Sequence, residues 1–397
     1  MLLDKVRVVD LSRVLAGPIA TMVLGDLGAD IIKIEPPQGD ETRTWTPMVD
    51  GESAYYLSAN RNKRSIVIDL KREEGREIIY KLVKTSDVVI ENFRPGVPES
   101  LKIDYNSLKN IKPDIIYCSI KGFGSKSSYA TRPAYDLLLQ AMSGLMASTG
   151  EEGRPPVRVA FALYDIIAGL IASVSIVAAL YDRTLSGKGR YIEVSLYDSS
   201  IFAMSYIAMI YLMTGKMPKK MGSAHPSIVP YQTFECGDGK HLAVAVTNER
   251  FWENFCKALR LEELIADPRF KSNPDRVKNR QELIEMLSKK FKEKSRSEWI
   301  KLFEEYGVPY GPVYTLDEVF NDPHVVASGI VGEVKHPTLG MIKQLLYPAL
   351  IDNVRPKPRK APPRMGEDAI SILKELGYSD ADIEKLISTR VVCCKLS

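Results

Sequence analysis

Val6-Arg7-Val8-Val9-Asp10 and Ile31-Ile32-Lys33-Ile34-Glu35, with the 20 residues between them, decide the fold. The first run is short and β-branched and predicts a buried strand. Leu11–Ala16 predicts a loop. Gly17-Pro18 then opens a helix, with proline in the first turn, where its missing N–H does no harm. The helix carries Thr21, Leu24 and Leu27 and stops near Gly28. The second run is another strand, broken by Pro36-Pro37-Gln38-Gly39-Asp40. The unit is therefore strand, helix, strand, with an acidic residue closing its second strand.

The same alternation continues outward. Strands are expected at Ser65–Leu70, Asp87–Ile90, Asp114–Ile120 and Tyr191–Ser195, with an amphipathic helix at Arg72–Lys84 and one long helix at Leu196–Thr214. Such alternation predicts an α/β chain with a parallel sheet covered on both faces. Ligands of such sheets bind in the loops after the strand C-termini. Those loops hold Arg13, Glu35, Asn92, Arg94 and Lys121. They suit a phosphate-bearing ligand as a set, although each charge alone is more simply read as solvated surface. A nicotinamide dinucleotide is disfavoured. The first turn, Ser12-Arg13-Val14-Leu15-Ala16-Gly17, lacks the three glycines that let a pyrophosphate approach the backbone.

A second stretch bears on chemistry. Arg158–Gly169 places Asp165 just before the small and apolar run Ile166–Leu180, which predicts a buried helix. Asp165 falls at the N-cap or in the first turn. It is either a helix cap, which asparagine, aspartate and serine commonly are, or a carboxylate held at a helix start and aimed at a ligand. Spacing alone leaves both readings open. The apolar run is about 15 residues, short of the roughly 20 that a spanning helix needs, so no membrane segment is expected.

Composition narrows the rest. A chain of 397 residues with 45% hydrophobic content is globular and long enough for two or more domains. The formal charge of +4 suits anionic small ligands and is too weak to argue for nucleic acid. Five scattered cysteines form no paired framework, which points to a reducing, cytoplasmic compartment. Four scattered histidines and no Cys/His cluster give no metal site. The expected divisions are residues 1–215 as the N-terminal part of the large domain, 216–230 as a linker, 231–325 as a small α+β domain, and 326–397 as a return to the large domain. The small domain should contain a hairpin around Gly237-Asp238-Gly239-Lys240, followed by three charged helices. The last four residues, Cys394-Lys395-Leu396-Ser397, loosely fit a prenylation box. Lys395 is not aliphatic, so a frayed tail is expected instead.

Several stretches, in order, carry a resemblance. They are Asp10–Pro18, Leu27–Glu35, Asn62-Lys63-Arg64-Ser65, Glu91-Asn92-Phe93-Arg94-Pro95-Gly96, Arg132-Pro133-Ala134-Tyr135-Asp136, Tyr164-Asp165, Ser186-Gly187-Lys188-Gly189 and Tyr310-Gly311-Pro312-Val313. Together, over nearly the whole chain, they resemble the class III coenzyme A transferases, with the α-methylacyl-CoA racemases as a branch. The resemblance implies a Rossmann-like large domain, a smaller α+β domain and an interlocked homodimer. It implies Asp165 as nucleophile, Tyr135 as an active-site tyrosine, and CoA contacts from Arg13, Val14, Leu15, Ala16, Ile68, Lys71, Asn92 and Phe93. It implies no tightly bound cofactor: a CoA thioester and a small carboxylic acid are the substrates, with succinyl-CoA the expected donor. Two departures count against formate and oxalate. His225–Pro230 stands in the region of the formyl-CoA enzyme's mobile glycine loop, and Leu15 replaces a polar glutamine. Two alternatives are an α-methylacyl-CoA racemase and a non-catalytic CoA-binding scaffold. The racemase branch has histidine where this chain has Tyr135, and a phenol with an ordinary pKa near 10 is a poor acid/base partner.

Overall fold

The structure is a computed structural model that describes Met1–Cys393. The tail Cys394–Ser397, expected to fray, lies outside the described residues. Six parallel strands run, in chain order, Arg7–Asp10, Asp30–Glu35, Lys63–Ile68, Val88–Glu91, Ile116–Lys121 and Arg190–Ser195. Their order in space is third, second, first, fourth, fifth, sixth, as in doubly wound dinucleotide folds. In register, Val9 lies between Ile32 and Val89.

One face of the sheet presents Val9, Ile32, Ile34, Ile66, Ile68 and Val89. It packs on Ile78, Ile79, Leu82 and Val83 of the Glu73–Lys84 helix, and on Ile372, Leu373, Ile383 and Leu386 near the C-terminus. Each of these aliphatic side chains contributes about 1.5–3 kcal/mol when fully buried, far more than helix propensity does. The helices Ala16–Asp26 and Leu163–Ser186 take no part in that core and pack against each other. They cross at Gly169, where a Cβ atom would sit 2.6 Å from the Ala16 carbonyl oxygen. Only glycine allows this approach, and it sets the start of one helix beside the start of the other.

One strand of the main sheet and the extent of two helices differ from expectation. Val392–Cys393 adds an antiparallel strand beside Lys63–Ile68. Two residues are too few to show a period. The helix expected as a single unit at Leu196–Thr214 is broken. Leu196–Ala203 and Ser205–Thr214 meet at 76°, with Ser205 at φ 45°. Apolar residues run across the break, from Ile201-Phe202-Ala203-Met204 to Tyr206-Ile207-Ala208, so no change of pattern marks the bend. The 15-residue apolar run is the middle of a longer helix, Leu163–Ser186, of 24 residues. By length and composition that helix could cross a membrane. However, 44% of its most apolar window is buried inside the chain, so part of the helix is committed to the chain's own packing.

The chain forms two compact units. The first comprises 1–144, 158–214 and 324–397, and the second 145–157 and 215–323. Residues 145–157, expected within the large domain, are thus part of the second unit. There the Gly222 N–H donates to Gly150 O at 2.9 Å and Lys220 Nζ to Arg154 O at 2.8 Å. Residues 216–230, read as a linker from their Met, Pro and Lys content, are built into the same unit. Arg280 donates to His225 O at 2.8 Å and Arg276 to Val229 O at 2.9 Å. The hairpin is present as Tyr231–Glu235 and His241–Ala245, with Tyr310–Pro312 added alongside. Phe234, Phe255, Phe291, Trp299 and Phe303 form an aromatic core beneath it.

Candidate active site

In this strand order the connections diverge between Arg7–Asp10 and Val88–Glu91, and their C-terminal loops bound a crevice. The first loop is held from below. Lys33, fully buried, donates from Nζ to Ser12 O at 3.0 Å and to Asp40 at 2.9 Å. Lys63, also buried, bridges Asp10, Pro18 O and Asn60. A Cβ on Gly17 would lie 2.2 Å from Ser12 Cβ, so the turn into the helix closes only with glycine there. Val14 sits at φ 67°, a left-handed conformation that costs a β-branched residue on the order of 1–3 kcal/mol. The second loop is fixed by Glu91, which accepts from Phe93 N–H at 2.6 Å, Lys121 Nζ at 3.1 Å and the Ser119 hydroxyl.

Two cavities open along this crevice and share Arg13 and Phe93 as a common wall. One, of about 390 Å³, is lined by Arg13, Val14, Leu15, Ala16, Asn92, Phe93, Tyr135 and Asp165. The other, of about 450 Å³, is lined by Ile68, Lys71 and a wall of Ile34, Pro36 and Leu101. Each lies within the usual range of about 300–1,000 Å³ for ligand cavities. Every residue expected at the site from sequence therefore lines one of two adjoining cavities. Arg94, Lys121 and Arg132 line the first cavity as well. Lys121 is paired with Glu91, whereas Arg13, Arg94 and Arg132 pair with no carboxylate among the described residues. Glu35, expected among the ligand-facing loops, is not free. It is 1% exposed, and its oxygens accept from Arg43 at 2.7 Å, Ser65 at 2.6 Å and Asp40 N–H at 3.0 Å. The acid at the position that binds ribose in dinucleotide folds is thus already engaged within the chain.

The geometry also decides what Asp165 is not. The helix begins at Leu163 with Ala162 as its cap residue, and Asp165 is its third residue. The capping hydrogen bond comes from elsewhere. Asp136 Oδ1 accepts from Tyr164 N–H at 2.8 Å, and Asp136 Oδ2 accepts from Gln140 Nε2 at 2.6 Å. Gln140 Oε1 in turn accepts from Val159 N–H at 2.8 Å. The Asp165 side chain makes no hydrogen bond among the described residues, so the helix-cap reading fails. Burial first, and the neighbouring Asp136 second, push its carboxyl up to about 7. The side chain stays partly exposed toward the cavity while protein atoms crowd its other sides. A raised carboxylate is more basic and a better nucleophile than an ordinary one.

Tyr135 precedes the helix Asp136–Met142 without capping it through its side chain, and is 62% exposed. Sequence reasoning missed Tyr55. Its phenol is pushed up by burial and then by Asp165 and Asp136, which places it within electrostatic reach of both carboxylates. It also missed the role of Asp136. The residue was visible beside Tyr135, but its cap spans 28 residues and no local pattern carries that.

Asp136→Asn should test the coupling. It keeps an acceptor for Tyr164 N–H and removes the charge. The acid limb of the kcat/KM profile should move to lower pH by roughly half a unit, because burial is the larger cause of the shift. An unmoved limb in an active variant would show that the two carboxylates do not interact.

Residues 3–369 of the chain match CoA-transferase family III. The chain is 44% identical over 393 residues to the succinyl-CoA:glutarate CoA-transferase of Homo sapiens, covering 98% of this chain and 90% of that protein. It is 37% identical over 382 residues to the succinate–glutarate CoA-transferase of Agrobacterium fabrum, covering 94% and 95%. A CaiB/BaiF family protein from Brucella suis, a crystal structure, superposes with a TM-score of 0.84 at 40% identity, covering 94% of this chain and 98% of that one.

Proposed function

This chain belongs to CoA-transferase family III, and on that premise we propose that it moves CoA from succinyl-CoA to a second short dicarboxylic acid through covalent intermediates on Asp165. One observation carries the reading. The Asp165 side chain has no hydrogen-bond partner among the described residues, and it opens on a cavity that also holds three guanidinium groups without carboxylate partners. CoA brings phosphates and a dicarboxylate brings a second negative group, so both substrates give those arginines partners.

The chemistry balances without water. The Asp165 carboxylate attacks the thioester carbonyl, the C–S bond breaks, and CoA thiolate leaves an acyl–aspartyl anhydride. The thiolate attacks the aspartyl carbonyl and expels the donor acid, leaving an aspartyl-CoA thioester. The acceptor carboxylate attacks that thioester and releases the thiolate again. The thiolate then attacks the acceptor's acyl carbon, giving the new acyl-CoA and restoring Asp165. No step needs a general base, in keeping with a site that has no serine–histidine pair. Racemisation would need two acid/base groups astride the α-carbon, whereas transfer needs only this carboxylate. The phenol O–H groups of Tyr135 and Tyr55 can donate hydrogen bonds to acyl oxygens. The active unit on this reading is a homodimer.

Mass spectrometry tests the proposal. Succinyl-CoA and glutarate carrying oxygen-18 in its carboxylates should yield glutaryl-CoA. The label should enter the tryptic peptide Val159–Arg183, on Asp165. An exchange that proceeds with no label in that peptide would exclude the anhydride route. Failure with every short dicarboxylate would exclude the substrate class.

A further inference from the structure

Asn92 stands across the crevice from the loop that carries Arg13–Ala16, and both ends of its carboxamide are engaged there. Its Oδ1 accepts from Arg13 N–H at 2.8 Å, and its Nδ2 donates to Arg13 O at 2.8 Å. A pair of hydrogen bonds to the N–H and C=O of one residue fixes both flanking peptide planes. The next residue is Val14, at φ 67°. On the near side the same loop is fixed by Lys33 to Ser12 O at 3.0 Å and by Ser12 N–H to Asp10 at 3.0 Å. The loop is thus gripped just before its strained residue, from two different strands. Val14, Leu15 and Ala16 then line the cavity that reaches Asp165.

A strained backbone persists only while its surroundings over-determine it. Without the Asn92 clamp, the Arg13–Val14 peptide is free to rotate toward the broad β region that valine prefers. We propose that Asn92 is a positioning residue, acting through Arg13 to hold Val14 in the conformation that receives CoA, rather than a residue that contacts CoA through its side chain. The proposal rests on the reading that Arg13–Ala16 cradles CoA. Its consequence is thermodynamic. The clamp raises the population of the competent loop, so its removal weakens CoA binding by the fraction of chains that relax.

Four proteins test this: the wild type, Asn92→Ala, Val14→Gly and the double variant. Each is followed by CoA titration calorimetry, by KM and kcat for succinyl-CoA, and by thermal unfolding. Asn92→Ala should raise the CoA Kd and KM about tenfold or more while kcat stays within about threefold. Val14→Gly removes the strain that the clamp opposes and should keep the fold. In that background, Asn92→Ala should cost less than about a third of its effect in the wild type. Costs that multiply in full would mean that Asn92 touches CoA directly, and the proposal would fall. It would fall equally if KM were unchanged, or if kcat alone dropped. A wild type that binds no CoA would instead overturn the reading of the cavity, whatever the variants do.

Discussion

Asp165→Asn should abolish CoA exchange and raise the melting temperature of the protein at the same time. Loss of the nucleophile removes every covalent intermediate, so activity should fall by at least about 10³-fold. The stability gain follows from the raised carboxyl, at about 7 in the folded chain against an ordinary 3.8. Below about pH 4 the group is protonated in both states and costs nothing. Between pH 4 and 7 the unfolded chain ionises while the folded one resists, so stability is lost as pH rises through that window. Above pH 7 the full difference is lost. It amounts to at most about 4 kcal/mol for three pKa units, and about 1–3 kcal/mol once solvent contact at the cavity is allowed for. Asparagine carries no such slope. Thermal unfolding should therefore place the variant roughly 2–5 °C above wild type at pH 8 and near it at pH 4. Exchange activity retained by the variant would refute the nucleophile, and a gap independent of pH would refute the linkage. A residue whose removal stabilises the fold is one kept for chemistry rather than for structure.

Much of this site was legible in the sequence because it is built from local patterns. β-branched runs mark the six parallel strands to within a few residues, and the loops after them, where Arg13, Asn92, Arg94 and Lys121 were expected to face a ligand, do line one cavity. The rest depends on contacts between distant residues. Asp136 caps the helix of Asp165 from 28 residues away. Lys33, the one cation of an apolar strand, and Lys63, in the basic cluster Arg61–Arg64, look like ordinary solvated cations, yet both are fully buried beneath the first loop. Glu35 looked free at a strand end and is taken by Arg43. Asn92 was expected as a CoA contact; it lines the cavity, and its carboxamide also holds the Arg13 backbone. In each case the residue type was visible, but its partner lay in another element. The division of the chain fared similarly. Residues 145–157 carry loop-like composition in either unit, and only their hydrogen bonds to Lys220 and Gly222 place them.

Association is the second large expected effect. Leu170, Val174, Val177, Tyr181 and Leu185 are 44, 69, 38, 68 and 72% exposed on the Leu163–Ser186 helix. Spacings of four, three, four and four residues put them on one stripe. The opposite side of the helix packs on Ala16–Asp26 and holds Asp165 at its start. An exposed apolar stripe of this length marks an interface. A membrane is the rival occupant, since the helix is long enough to cross one. A second copy of the chain is favoured because the same helix is already half committed to the core, and a spanning helix would have to leave it. Burying each of the five side chains contributes about 1.5–3 kcal/mol. The dimer should therefore persist at nanomolar concentration and dissociate only with unfolding. Val174→Asp with Tyr181→Asp places two charges in the centre of the stripe. The variant should be monomeric or aggregated by mass photometry, with a melting temperature lower by at least about 5 °C. Because the stripe and the nucleophile share one helix, exchange activity should fall with the dimer. A wild type that is a folded monomer, or that sediments with lipid vesicles instead of pairing, would overturn this. So would a double variant that remains a dimer of unchanged stability.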